Sequence, residues 1–221
     1  MGVSKIHPSI RSNPQARSVQ TRAGILRAAE RIFAESGLAG ARTDAIAEAA
    51  GVNKALLYYY FKSKESLYAA VIEDHFREFN ERAMQTLNSS GSARAILLRY
   101  VSVHFDFISS RRRHASLYQQ MMMNGGKSLQ RIVQKYFVPR SRALDELLKR
   151  GMRDGEFRRT DRRNAAISIV GLIVFYFSAA RVMQLLGFSD VFSEAMLHRR
   201  KREVLDFVRY GLFVNPKGRL K

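Results

Sequence analysis

A stripe of apolar positions near the start of the chain predicts a helix with one buried face. Its members recur at i, i+3, i+4, i+7 and i+8, which places them on one side of an α-helix. The stripe consists of Ile25, Ala28, Ala29, Ile32 and Phe33. Thr21 is suited to begin this helix, and Gly37 is suited to end it with a left-handed backbone.

Two shorter helices follow, joined by a glycine turn. The second helix is predicted from Thr43 to Ala50, and Gly51 begins the turn. Asn53 is a favourable N-cap for a third helix that runs to about Tyr60. Two short helices joined in this way are typical of helix-turn-helix DNA-binding domains, in which the second helix enters the major groove.

The rest of the chain also has the helical period, and we find no segment with the alternation of a strand. Ser63 is suited to cap a long fourth helix that ends near Leu87. Further helices are predicted over residues 92–109, 114–124, 128–152, 161–186 and 194–213. Pro139 is expected to bend the third of these. The predicted fold class is therefore all-α.

Three regions are predicted along the chain. Residues 1–19 are polar and contain several serines, so we expect a disordered basic arm that either has no role or grips DNA. Residues 20–66 form the three-helix DNA-binding domain. Residues 67–215 form a larger helical domain for effector binding and dimerisation.

The charge distribution weakens the most direct argument for DNA. The formal net charge is +19, an excess typical of proteins that bind nucleic acid. Residues 90–221, however, hold 26 Lys and Arg against 10 Asp and Glu, so most of the excess lies outside the helix-turn-helix. The arginines there indicate helix faces exposed to solvent or, alternatively, a binding site for an anionic effector.

Composition excludes several other classes of site. The chain has no Cys, which rules out disulfides, thiolate metal sites and cysteine nucleophiles. No secretory signal is visible, and the cytoplasm is the expected location. Residues 165–180 are uncharged, but a membrane-spanning helix needs about 20 residues, so a buried core or interface helix is predicted. We expect no cofactor, metal or membrane partner.

The predicted third helix carries three tyrosines in succession, Tyr58, Tyr59 and Tyr60. Successive helical residues point in directions about 100° apart, so at least one ring must be exposed, where its hydroxyl suits contact with phosphate or base. Lys54 lies in the first turn, from which a long cationic side chain can reach a guanine edge or a phosphate.

Residues 43–67, TDAIAEAAGVNKALLYYYFKSKESL, resemble the signature of the tetracycline-repressor (TetR) family of transcriptional regulators. The preceding ILRAAERIFAESG is similar to that family's first helix, so the likeness runs without a gap from residue 25 to residue 67. The resemblance implies a sequence-specific DNA-binding regulator, typically a repressor. Its partners would be a double-stranded operator, a second copy of the chain and a small effector.

The resemblance also implies which residues contact DNA. Thr43 and Lys64 correspond to phosphate-binding positions, the latter at a helix N-terminus where free amides assist. The full predicted set is Thr43, Asn53, Lys54, Ala55, Leu56, Tyr58, Tyr59, Tyr60 and Lys64. Leu56 either touches a thymine methyl group or packs inside the domain. Asp44 is not included, because an acidic side chain repels phosphate.

In this family the C-terminal helices hold the effector, and the last two form the dimer. The predicted dimer residues are Ile169, Ile173, Leu197, Val204, Leu205, Val208 and Leu212. The predicted effector pocket consists of Phe79, Phe105, Tyr118, Met121, Met122, Phe175 and Tyr176. Met side chains adapt to varied apolar ligands, so a hydrophobic effector is expected. The alternative for each pocket residue is ordinary core packing.

Two other functions are compatible with parts of the sequence. A DNA-bound architectural or cell-division factor of the same fold would have a fully packed C-terminal domain and no effector. An enzyme fused to a DNA-binding domain would need a catalytic constellation, and the sequence has no Cys, five His and no glycine-rich phosphate loop. We therefore predict a regulator rather than an enzyme.

Overall fold

The computed structural model describes residues 14–111, 117, 119, 121–122, 126–188 and 190–215. The chain divides into two compact units between Val71 and Ile72. This boundary lies a few residues beyond the predicted one at residues 66 and 67. The physical reason is that Leu67 and Val71, at the start of a long helix, are buried with the first unit.

The first unit is helical, as predicted. It contains α1 (Pro14–Gly40), α2 (Thr43–Ala49), α3 (Lys54–Phe61) and the beginning of α4 (Lys64–Leu87). The buried side of α1 includes most of the predicted stripe, with Ile25, Ala29 and Phe33 fully enclosed. The ring of Phe33 meets that of Tyr68 edge to face, with the ring centroids 5.1 Å apart.

Helix α1 is longer at its N-terminus than the sequence suggested. It begins at Pro14 instead of Thr21, so the part of the predicted disordered arm from residue 14 to residue 19 is helical. Proline suits a first helical turn, because its φ angle is fixed near the helical value. The Tyr60 hydroxyl also donates a hydrogen bond to Ser18 Oγ over 3.0 Å, which ties this turn to α3. Residues 1–13 lie outside the described part of the chain.

The second unit continues α4 and adds further helices. These are α5 (Ala93–Ser109), α6 (Gly126–Ile132), α7 (Val138–Arg153), α8 (Arg162–Ser178), α9 (Ala180–Leu185) and α10 (Glu194–Leu212). Of the predicted helix over residues 114–124, only Leu117, Gln119, Met121 and Met122 are described, and they are helical. The predicted helix over 161–186 is interrupted at Ala179, whose φ and ψ of −91° and 5° leave the helical region.

A π-helical segment, Val133–Phe137, connects α6 to α7. The sequence predicted a bend at Pro139, and the structure instead widens the turn that precedes this residue. A proline ring clashes with the carbonyl four residues earlier in a regular α-helix, and a wider turn relieves that clash.

Helix α5 is the centre of the second unit and packs against α7, α8 and α10. Its N-terminus is capped twice over. Ser92 accepts a hydrogen bond from the amide of Ala95, and the Glu156 carboxylate accepts from the amides of Ala93 and Arg94, both over 2.9 Å. Within the described residues there is no strand, only an isolated bridge between Phe157 and Phe213. No helix in those same residues is long and apolar enough to cross a membrane.

Gly151 is required by close packing at the end of α7. A Cβ atom at this position would overlap the ring of Phe157, which is buried and stacked on Phe213 with the ring centroids 5.4 Å apart. We predict that Gly151→Ala lowers the free energy of unfolding by about 1–3 kcal/mol, because overpacking forces a rigid aromatic ring to move. Urea denaturation at a fixed protein concentration measures the change.

Gly24→Ala is the control for this substitution. Gly24 is also helical, but the nearest atom to an added Cβ would be 4.0 Å away at the tip of Arg27. Alanine there should be neutral or stabilising by up to about 1 kcal/mol. A Gly151→Ala protein as stable as the Gly24→Ala protein would contradict the packing at Phe157.

Candidate DNA-binding surface and effector cavity

The turn between α2 and α3 depends on a left-handed residue. Gly51 has a φ of 67°, a conformation that costs other residues about 1–2 kcal/mol. This conformation lets the amide of Val52 donate to the carbonyl of Ala47 over 3.0 Å. Asn53 then caps α3, and its side chain accepts a hydrogen bond from the Leu56 amide over 2.8 Å. The predicted N-cap role of Asn53 is therefore confirmed.

Helix α3 has distinct inner and outer faces. Leu57 and Phe61 are buried in the first unit, whereas Tyr59 is 78 % exposed. Tyr58 is 37 % exposed, and its hydroxyl lies 3.4 Å from the hydroxyl of Thr43 on α2. The structure thus brings together two predicted DNA-contact residues from different helices, with their polar ends on the surface.

The other predicted residues of α3 are less uniform. Ala55 is exposed, while Leu56 and Tyr60 are half-buried. The hydroxyl of Tyr60 is already bonded to Ser18, and its ring contacts Tyr59 edge to face. Of the three tyrosines, Tyr59 is therefore the most accessible and Tyr60 the least.

Lys54 is paired with an acidic side chain of α2. Its Nζ lies 2.9 Å from a carboxylate oxygen of Asp44, and both side chains are exposed. The hydrogen bond from Lys54 lowers the pKa of Asp44, and the same bond raises the pKa of Lys54. Arg42, an exposed cation missed by the sequence analysis, also lowers the pKa of Asp44. The side chain of Lys54, which is predicted to reach DNA, is thus paired with Asp44 in the free protein.

Lys64 has a contact within the protein that the sequence did not reveal. Its ammonium group donates to the carbonyl oxygens of Ala39 and Ala41 over 3.4 and 3.2 Å. Ala39 lies in the last turn of α1, and Ala41 lies in the short connection between α1 and α2. Lys64 therefore secures that connection, and its contact with phosphate stays a prediction.

The second unit contains a cavity of about 560 Å³, within the usual range of roughly 300–1,000 Å³ for small-molecule sites. Phe76 and Phe79 of α4 form one wall, and one face of α8 forms another. Further lining residues are Tyr100, His104, Phe137, Arg140, Ser141 and Leu144. Of the predicted pocket residues, Phe79 and Phe175 line this cavity.

Most other predicted pocket residues have different surroundings. Phe105 packs its ring on Phe177, with the centroids 5.2 Å apart, and the Tyr176 hydroxyl donates to the Val191 carbonyl over 2.6 Å. Met121 is buried and Met122 is exposed, and neither lines the cavity. None of these four positions lines this cavity, because aromatic or Met character does not indicate which side of a helix faces a cavity, and their contact with an effector stays a prediction. Tyr118 lies outside the described residues.

The polar groups of the cavity were not predicted. The Arg140 guanidinium contacts the rings of Phe79 and Phe137, 4.7 and 4.9 Å from their centroids, and is within hydrogen-bonding reach of Tyr100. His104 is 4 % exposed, and burial lowers its pKa to about 3, with a further contribution from the charge of Arg140. Arg140 lies shortly after the π-helical segment, where the regular helical period is interrupted, so its position cannot be read from residue spacing.

The predicted dimer residues are mostly part of the subunit's own core. Ile169, Ile173, Val204, Val208 and Leu212 are buried within the single chain, while Leu197 and Leu205 are partly buried. Helices α8 and α10 also expose large apolar side chains in the single chain, and the two on α8 border the cavity. These are Ile167 and Phe175 on α8, and Phe207 and Tyr210 on α10. The predicted stripe thus faces the core of its own subunit, and its part in a dimer stays a prediction.

A helix-turn-helix unit followed by a larger helical unit with an internal cavity defines a class of ligand-responsive DNA-binding regulators. Residues 25–71 match the family described as bacterial regulatory proteins, tetR family, and residues 94–208 match the tetracyclin repressor-like C-terminal domain. The second match alone covers more than half of the chain. The protein belongs to the TetR family and is a DNA-binding transcriptional regulator.

Individual relatives support the assignment. The fatty acid metabolism regulator protein of Bacillus subtilis is 27 % identical over 150 residues, which cover 67 % of this chain and 77 % of the relative. The transcriptional repressor KstR2 of Mycolicibacterium smegmatis is 29 % identical over 156 residues, covering 68 % and 72 %. The crystal structure of FadR from Bacillus subtilis in complex with stearoyl-CoA has a TM-score of 0.67 at 24 % identity, covering 84 % of this chain and 96 % of that one.

The ion pair between Asp44 and Lys54 predicts an effect on DNA affinity. Asp44→Asn removes a negative charge and releases Lys54, so affinity for a non-specific duplex should rise about two- to fivefold. The dependence of log affinity on log salt should steepen by about one unit. Fluorescence anisotropy with a labelled duplex over a range of salt concentrations measures both quantities.

Glu146→Gln is the matched control, since it removes the same charge from an exposed position on α7. It should leave affinity within about twofold of the wild type. If Asp44→Asn weakens binding instead, Asp44 orients Lys54 towards DNA and does not compete with it.

Two buried histidines predict a loss of stability in mild acid. Burial lowers the pKa of His75 to about 4 and that of His104 to about 3. The unfolded chain takes up these protons near pH 6.5 and the folded protein does not, so stability falls as the pH drops below 6.5. At pH 5.5 the loss should be about 1.4 kcal/mol for each histidine, measured by urea denaturation at pH 7.5 and pH 5.5.

Substitutions distinguish the contribution of these histidines to the pH dependence of stability from that of other titrating groups. His104→Gln should remove about half of the difference between the two pH values, whatever its effect on stability at pH 7.5. His198→Gln, at an exposed position on α10, is the control substitution. An equal pH dependence in the His104→Gln and wild-type proteins would be incompatible with a neutral, buried His104.

Proposed function

We propose that the protein is a homodimeric repressor that binds a double-stranded operator through α3 of each subunit and is released by a small hydrophobic effector. The observation that carries the proposal is the division of α3 into two faces. Leu57 and Phe61 hold the helix in the core, while Lys54, Tyr58 and Tyr59 remain on the surface. A recognition helix needs this arrangement, because its outer residues must enter the major groove without loss of the fold.

The contacts with DNA divide into two types. Lys54, Ala55 and Leu56, in the first turn of α3, are proposed to face base edges. The hydroxyls of Thr43 and Tyr58 form a pair that suits a phosphate oxygen. Lys64 is proposed to bind phosphate while it holds the connection before α2. On this proposal Lys54 exchanges the Asp44 carboxylate for a group on DNA.

A dimer is proposed because a single short recognition helix offers few contacts, whereas two copies related by a two-fold axis read two half-sites. The exposed apolar residues of α8 and α10 are the proposed interface, in place of the buried residues predicted from the sequence. Phe175 and Phe207 are 71 % and 62 % exposed in the single chain. Apolar surface of this kind marks sites of protein association.

The cavity favours a regulator controlled by an effector. An architectural DNA-binding protein of the same fold would require no cavity. Phe76 and Phe79 line it and belong to α4, the helix whose first residue is Lys64. An effector in the cavity therefore contacts the helix that carries a proposed phosphate ligand. It releases DNA only to the extent that it binds the DNA-free conformation more tightly than the DNA-bound one. Stearoyl-CoA in the related FadR structure and choline in one from Saccharomonospora viridis show that relatives of this fold hold small molecules.

The recognition face predicts how single substitutions change operator binding. The probe is the DNA upstream of the gene that encodes this protein, with excess competitor DNA at about 0.15 M salt. Tyr58→Ala and Tyr59→Ala should each weaken the specific complex about 10- to 100-fold, since each removes a contact worth about 1–3 kcal/mol. Gel-shift titration measures the affinities, and circular dichroism checks that each variant is folded.

Lys149→Ala is the matched control, because it removes an exposed cation on α7. Its affinity should stay within about twofold of the wild type. If both tyrosine variants bind like the wild type, α3 does not read the operator. If no specific complex forms on this DNA, the protein does not bind an operator upstream of its own gene.

A further inference from the structure

Arg140 brings a permanent positive charge into a cavity whose lining is mostly apolar. A guanidinium group stays protonated in proteins. The described residues that line this cavity include no Asp or Glu. Its other walls are largely hydrocarbon, with Leu144, Val170 and Val174 among them. The cavity therefore has a net positive charge among mostly apolar side chains.

The surroundings of Arg140 fix the position of this charge. The rings of Phe79 and Phe137 both contact the guanidinium group, whose central carbon lies 4.7 and 4.9 Å from their centroids. Cation–π contacts attract the charged group to the ring faces. Tyr100 is within hydrogen-bonding reach of the same group. These three contacts hold the charge of Arg140 in the cavity.

A second polar group lies beside this charge. His104 lines the same cavity, and its ring centroid is 4.4 Å from that of Phe79. It is 4 % exposed, and its Nδ1 has no hydrogen-bond partner within the described residues. A buried polar atom without a partner costs about 1–3 kcal/mol. A ligand that bonds to this nitrogen recovers that cost.

We propose that the effector is a hydrophobic carboxylate, whose negative group binds at Arg140 and His104 and whose apolar body fills the rest of the cavity. This inference rests on the proposed effector control and specifies its chemistry. A charged group is costly to bury unless it is paired. A neutral ligand of the same shape would remove water from Arg140 without supplying a counter-charge. The cavity therefore selects the anion over its neutral isostere.

A groove outside the cavity offers a different place for negative charge. It shares Ser141, Ala166 and Ile167 with the cavity and contains Arg142, Arg162 and Arg163. Asp145 and Glu146 offset much of this charge, and Arg162 is bonded to Asp145 over 2.8 Å. A thioester with a polyanionic head in this groove would leave a neutral carbonyl at Arg140. The free acid is favoured because it matches the charge inside the cavity.

Two fluorescent probes with the same ring system test the charge preference. 1-Anilinonaphthalene-8-sulfonate has a negative group, and N-phenyl-1-naphthylamine lacks it. The wild-type protein should bind the sulfonate at least tenfold more tightly than the neutral amine, with one site per chain. In Arg140→Met the sulfonate should lose about tenfold or more in affinity, while the amine changes by less than threefold. Methionine retains an unbranched apolar stem between the two phenylalanine rings.

Arg142→Met is the matched control, because it removes an exposed arginine two residues further along α7. It should bind both probes like the wild type. If it loses as much sulfonate affinity as Arg140→Met, the preference reflects the general positive charge of the surface and the proposal is wrong. Equal wild-type affinity for the two probes, or an equal loss of both in Arg140→Met, overturns it as well.

Displacement of the bound sulfonate by competing ligands distinguishes a free carboxylate from a thioester with a polyanionic head as the source of the negative group. Dodecanoate should compete more strongly than dodecan-1-ol, and Arg140→Met should abolish that difference. If dodecanoyl-CoA competes better than dodecanoate and Arg142→Met alone weakens it, the anion binds in the outer groove and the assignment to Arg140 fails. Binding of neither probe would contradict effector control itself, whereas binding of both without a charge preference would overturn only this inference.

Discussion

The left-handed backbone at Gly51 is the constraint on which the DNA-binding surface depends. It allows α2 to end, the chain to turn within two residues, and Asn53 to cap α3. Because that turn fixes the direction of α3, Leu57 and Phe61 enter the core and Tyr59 remains outside. The contact between Thr43 and Tyr58 depends on the same geometry, since it joins α2 to α3. A different turn would preserve both helices and lose the surface they form.

Charge acts locally in this protein rather than through its total. The net charge of +19 lies mostly in the second unit, and it identifies neither of the proposed sites. Lys54 is engaged by Asp44 in the first unit, so its contact with DNA involves an exchange of partners. Arg140 contacts two aromatic rings in the second unit, in a cavity whose described lining residues include no acidic side chain. Position and surroundings determine what each cation can bind.

Much of the fold follows from residue periodicity, because a helix with one buried face repeats its apolar positions at regular spacing. The stripe on α1, the cap at Asn53 and the cap at Ser63 are all present as predicted. Periodicity fails where a helix is apolar on several sides. Helix α8 offers Ile169 inwards and Phe175 outwards, and the sequence alone does not distinguish a core face from an exposed one.

The candidate cavity was harder to predict because it depends on contacts between distant segments. Arg140 lines the cavity from the start of α7, just after a π-helical segment that interrupts the regular helical period. Phe79 and Phe105 are both buried aromatics, yet only Phe79 lines the cavity. The sequence could indicate a hydrophobic effector from composition, whereas the positive group that would select among such effectors required the packed structure.

Hydroxyl-radical footprinting of the complex with upstream DNA tests the central claim most directly. Two recognition helices related by two-fold symmetry should protect two patches whose centres lie about 10–10.5 base pairs apart, or a small multiple of that distance. Methylation of guanine N7 in the major groove at those patches should prevent binding. A footprint with a single patch, uniform protection along the duplex, or tolerance of major-groove methylation would contradict recognition by a pair of α3 helices.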